Sequence, residues 1–149
     1  MNQRASSFRI PSPTGGRFLN PKQFLLIGGI ILLALGLIGF AGVFSDTKSA
    51  FYLDTGENVA HTGLGIVAIA ASFLLHDANL QKWLVAVVGV TALFFGVYGF
   101  MVAGNAPPNT FGISNLESPA DDVLHIVVAI WALAVAFLPR GSMQTATNT

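Results

Sequence analysis

The chain has 149 residues, formal net charge zero and no cysteine; 53% of its residues are hydrophobic and only 9% are charged. A typical soluble domain carries about 25% charged residues, so a surface this poor in charge points to lipid rather than water as its main surroundings. Without cysteine there are no disulfides, thiolate chemistry, iron–sulfur clusters or covalent c-type haem, and without a clustered cationic footprint nucleic-acid binding is not expected.

Residues 1–23 are rich in Ser, Pro, Gly and Asn and hold Arg4, Arg9, Arg17 and Lys22, a composition that predicts a disordered basic arm. Four apolar segments follow, over 24–44, 55–75, 84–103 and 119–138. Each is close to the ~20 residues that an α-helix needs to cross about 30 Å of hydrocarbon. The first exceeds the ~7–15 residues of a signal-peptide core and has no A-x-A site behind it, so it is expected to be retained. The tail, 139–149, is polar and expected to be flexible.

Six of the seven Lys and Arg lie in the amino-terminal arm, the loop between the second and third segments, and the tail. Six of the seven acids (Asp46, Asp54, Glu57, Glu117, Asp121 and Asp122) fall on the opposite side. Excess Lys and Arg mark the cytoplasmic side, so both termini are expected there.

The halves of the chain resemble each other. Gly36-Leu37-Ile38-Gly39-Phe40 matches Gly96-Val97-Tyr98-Gly99-Phe100 at an offset of 60, and Glu57-Asn58-Val59-Ala60-His61 matches Asp121-Asp122-Val123-Leu124-His125 at an offset of 64. The expected fold is an all-α, polytopic four-helix membrane bundle of two parallel two-helix hairpin repeats. Asp54 and Ser118 stand as N-caps, each with an acid three residues later at capping-box spacing, and Pro119 suits the first helical position. His61 and His125 each lead a stripe of small residues (Gly65, Ala68, Ser72; Ala129, Ala132, Ala136) at steps of 4, 3 and 4, which should turn them toward the bundle interior.

At these residues the chain resembles a family of bacterial four-helix membrane proteins catalogued as a domain of unknown function, over about 21–138. The resemblance rests on Gly39-Phe40 and Gly99-Phe100, on Asn58 to His61, on Asp122 to His125, and most closely on Phe111-Gly112-Ile113 with Ser118-Pro119-Ala120-Asp121-Asp122-Val123-Leu124-His125. The first half departs from it, with Ala60 where leucine usually precedes the histidine. It implies a bacterial inner-membrane protein of this topology and no settled activity.

Ionisable groups at membrane depth are functional candidates. A structural reading has neutral His61 hydrogen-bonding Asn58 or a group on a neighbouring helix, and His125 likewise with Asp122, pinning the two hairpins together. A second reading makes His61 and His125 axial ligands of haem b or of a (bacterio)chlorophyll. A third places Glu57 with His61 and Asp121 with His125, at i, i+4, around Zn²⁺, Cu²⁺ or Fe²⁺. His76 suits a helix C-terminus and carries no chemistry here. No nucleophile–base–orienter set and no phosphate-binding glycine loop is present, so an enzyme is not expected. The expected role is a non-catalytic accessory or scaffold subunit, without a cofactor in that reading, contacting lipid and other membrane subunits or its own copies.

Overall fold

The computed structural model describes residues 20–47 and 49–138; residues 1–19 of the expected arm 1–23, Lys48 and the tail 139–149 lie outside them, and Pro21–Gln23 belong to the first helix rather than to the arm. Four helices make up the fold in the order α1 (Pro21–Phe40), α2 (Thr55–Leu74), α3 (Ala78–Val102) and α4 (Ala120–Phe137). All four are long and apolar enough to cross a membrane. The protein is an all-α, multi-pass membrane protein.

The helix starts are written locally. Pro21 takes the first position of α1, where its missing N–H costs nothing, and the Asn20 carboxamide accepts the Lys22 N–H at 2.9 Å. In α2, Asp54 Oδ1 accepts the Glu57 N–H at 2.9 Å and Glu57 Oε2 accepts the Asp54 N–H at 3.0 Å, the reciprocal box expected from the sequence. Helix α3 begins earlier than the hydropathy pattern predicts. Asp77 Oδ1 accepts the N–H groups of Asn79 and Leu80, and this cap draws Ala78–Trp83 out of the expected loop and into the helix. Helix α1 ends at Phe40, short of the expected residue 44, and the chain turns through Gly42 at φ +81°.

The helices pair as two tight hairpins, α1 with α2 and α3 with α4, joined chiefly through α1 against α3 and α4. Glycine makes the close approach possible. A Cβ on Gly29 would lie 2.9 Å from Ile69 and 3.0 Å from Ala68; one on Gly89 would lie 2.9 Å from Leu133 and 3.1 Å from Ala132. Gly36 and Gly96 meet Thr62 and Ile126 in the same way. Without a hydrophobic force between helices in lipid, such close backbone contact is what holds a membrane hairpin together. The stripes headed by the histidines serve this packing, with Gly65, Ser72, Ala129, Ala132 and Ala136 all buried.

The hairpins meet in a core of Phe24, Leu25, Val85, Ala86, Ala132, Val135 and Ala136 near the chain termini. Phe24 packs edge-on against Trp131 with ring centroids 4.6 Å apart. At the opposite, acid-rich end the α3–α4 loop crosses to the first hairpin. Ser114 Oγ donates to Asp54 at 3.0 Å and the Asn115 N–H donates to Asp54 Oδ2 at 2.7 Å. Asp54 thus caps α2 and anchors the loop of the other hairpin.

Candidate functional site: an acidic chamber between the hairpins

Between the hairpins, at the acid-rich end, lies a chamber of about 280 Å³ lined by Glu57, His61, Asp121 and His125, with Leu35 and Phe51 among its apolar walls. The sequence places these four polar residues on two different helices, and the fold brings all four to one cavity. The matched depth of α2 and α4 does this: each histidine follows its acid by one helical turn, and both helices start at the same end.

Glu117, on the loop just before α4, joins them. One carboxylate oxygen from each of Glu57, Glu117 and Asp121 lies within 4.8 Å of the other two. The loop fixes Glu117 firmly. Its N–H donates to Asp121 Oδ2 at 2.9 Å, and the Asn115 amide donates to its Oε1. Upstream, Asn109 Oδ1 accepts the Leu116 N–H at 2.9 Å and Asn109 Nδ2 donates to the Leu116 carbonyl at 3.2 Å. Glu117 Oε2 is left buried without a hydrogen-bond partner. Burial raises the Glu117 carboxyl from 4.5 to about 7; the Asn115 hydrogen bond opposes this, and the Asp121 and Asp54 carboxylates reinforce it.

Because the loop uses Asp121 in this way, α4 is not capped as the sequence suggests. Its N-cap is Pro119, with no side-chain hydrogen bond, and Ser118 does not fill the role. The Asp121 carboxylate turns back to the Glu117 N–H, one residue before the expected cap.

The histidines differ in their hydrogen bonds. His125 Nδ1 lies 2.8 Å from the Asp121 carbonyl. A carbonyl only accepts, so Nδ1 carries a proton and donates it, which leaves Nε2 as the ring nitrogen available to a metal, the arrangement common in metal-bound imidazoles. His61 Nδ1 is buried with no partner. Neither histidine bonds Asn58 or Asp122 among the described hydrogen bonds, contrary to the structural pairing expected from sequence. Asn58 instead presses onto Gly39, and Asp122, fully buried, onto Gly99, each so closely that any Cβ on the glycine would overlap the side chain. Asn58 Oδ1 and both Asp122 oxygens have no hydrogen-bond partner there. The Asx side chains are seats for the glycines of α1 and α3, which is a packing role.

Sequence reasoning missed Glu117 and the second duty of Asp54. Glu117 falls outside the matched motifs, and only its spacing of four from Asp121 hinted at a shared site. No local signal connects Asp54 to Ser114, 60 residues away.

The donor set suits a small cation better than a macrocycle. Three carboxyl groups converge beside a chamber that two imidazoles line, and buried like charges need protons or a cation between them. Haem b would bring its own anionic propionates to this acidic mouth. Comparisons with protein-family models, with curated proteins and with solved structures gave no match for this chain.

Proposed function

We propose that the protein is a non-catalytic membrane protein that holds one divalent transition-metal ion between its two hairpins at the acid-rich end. The observation that carries this reading is the approach of Glu57, Glu117 and Asp121 oxygens to within 4.8 Å of one another beside a chamber that His61 and His125 also line. Imidazole together with carboxylate favours Zn²⁺, Fe²⁺, Mn²⁺ or Cu²⁺ over Mg²⁺ and Ca²⁺, which prefer all-oxygen shells. The ion's donors come from α2, α4 and the loop between α3 and α4, so it would tie the hairpins together where helix-to-helix contact is sparse. Such a tie fits an accessory or scaffold subunit of a larger membrane assembly, in a bilayer oriented with both termini cytoplasmic.

The test is metal analysis of protein purified from native membranes without chelator, followed by titration of the chelated protein with Zn²⁺ and Mn²⁺. The expected result is one ion per chain, lost in the His61→Gln/His125→Gln variant and weakened in Glu117→Gln. Metal-free protein that binds neither ion would overturn the reading. An absorbance spectrum of the same sample decides the tetrapyrrole alternative: a stoichiometric Soret or red band that disappears in the double histidine variant would replace the metal with haem or (bacterio)chlorophyll.

A further inference from the structure

Beneath the acidic chamber is a second cavity of about 200 Å³, almost wholly apolar, with Phe24, Gly28, Val67, Leu84 and Trp131 among its walls. The two cavities share Ile31, Leu32 and Val128, so they adjoin along the seam between the hairpins. The Phe24–Trp131 ring contact forms the floor of the lower one. Helices α2 and α4 flank the seam and are not among the helix pairs in substantial contact, so a guest from the lipid would enter between them.

Gly28 is the telling residue. A Cβ on the packing glycines of α1 and α3, such as Gly29, Gly39, Gly89 and Gly99, would run into the neighbouring helix, whereas a Cβ on Gly28 would meet nothing within 4 Å. Helix packing does not require a glycine there, and the space before it is left open. An apolar cavity stays dry and takes apolar guests, and at membrane depth the guest comes from the bilayer. Its head must suit the upper chamber. The polar groups that line that chamber are the carboxyls of Glu57 and Asp121 and the imidazoles of His61 and His125, whose oxygens and ring nitrogens can accept a hydrogen bond. A phosphate or carboxylate head would add a further negative charge to this cluster of buried acids, while a neutral O–H head adds none.

We propose that the seam binds a neutral, hydroxyl-headed long-chain lipid of the polyprenol or hydroquinone kind, its chain in the cavity lined by Gly28 and Trp131 and its hydroxyl toward His61 and His125. This goes beyond the metal reading and concerns the metal-free protein, because a bound ion would occupy the same imidazoles.

The experiment uses the full chain carrying Trp83→Phe, which leaves Trp131 as the sole tryptophan, in nanodiscs with chelator present. Trp131 emission is followed as a brominated long-chain alcohol is added, with the matching brominated fatty acid and brominated phosphatidylcholine as comparisons. The expected result is saturable, several-fold quenching by the alcohol alone, relieved by Gly28→Leu, whose side chain fills the cavity. Val67→Phe carries the same test should Gly28→Leu fail to fold. Equal quenching by the fatty acid or the phosphatidylcholine, quenching that never saturates, or quenching indifferent to both filling variants would each overturn the proposal. Chelation keeps the outcome separate from metal binding.

Discussion

The two hairpins use the same backbone contacts and different polar chemistry. Gly29, Gly36 and Gly39 of α1 recur as Gly89, Gly96 and Gly99 of α3, each 60 residues on, and the residues they meet on α2 recur on α4 64 residues on. The seats of Asn58 and Asp122 are alike in shape but not in side chain. At the helix starts the likeness ends: α2 has a complete capping box, while α4 has none and lends its acid to the loop. Close packing in lipid tolerates little change because a glycine that touches backbone has no substitute of its own size. The polar groups face a cavity and a loop, where space allows them to diverge.

Substitutions at the glycines should break this comparison most severely. Gly99→Leu and Gly39→Leu would drive a side chain into Asp122 and Asn58, and each is expected to separate its hairpin and abolish a cooperative unfolding transition in detergent. Even Gly99→Ala should cost about 1–3 kcal/mol, as overpacking does in well-filled cores. Gly28→Ala, with open space before it, should be neutral or stabilise by roughly 0.4–1 kcal/mol through the unfolded chain. Equal losses at Gly99 and Gly28 would show that backbone proximity is not what distinguishes them.

Next in size is the contrast between the two expected caps. Asp54→Ala removes the α2 cap and the acceptor of Ser114 and Asn115, so it should cost about 2 kcal/mol or more, against about 1 for an ordinary cap. Ser118→Ala caps nothing and should fall within about 0.5 kcal/mol of the parent. Thermal or denaturant unfolding of both variants in one detergent checks this pair, and similar losses would contradict the asymmetry.

The loop carboxylate gives a pH signature in metal-free protein. With Glu117 raised from 4.5 to about 7, the folded state holds its proton more tightly than the unfolded chain. That contribution to stability is present in full below about 4.5 and is lost as pH rises through about 7. Glu117→Gln should therefore flatten the stability profile between these values, as read by unfolding midpoints across that range with chelator present.

A small effect is also expected where the hairpins are most alike. Asp122→Asn copies the Asn58 seat with an isosteric group, and stability should change by less than about 1 kcal/mol. A much larger loss would mean that the buried carboxyl of Asp122 has a role that its counterpart lacks.

Four apolar segments, their hairpin order and the positions of His61 and His125 at equal depth were legible in the sequence. Hydropathy over about 20 residues and helical periodicity act within one segment, and both report burial in lipid without reference to any partner. The glycine pattern of α1 and α3 was legible in part, through Gly36, Gly39, Gly96 and Gly99; Gly29 and Gly89 stood outside the matched motif. Only the tertiary structure decided which polar atoms meet. Asp54 was written as a cap and proved also to be the anchor of a loop 60 residues away, while Ser118 was written as a cap and is not one. Glu117 entered the site because that loop folds back on α2, and Asn58 and Asp122 left it because glycine opened a seat for each. Local spacing determines what a helix can present along its own surface. Which neighbour receives it depends on how closely two backbones approach, and that is fixed by contacts between residues far apart in the chain.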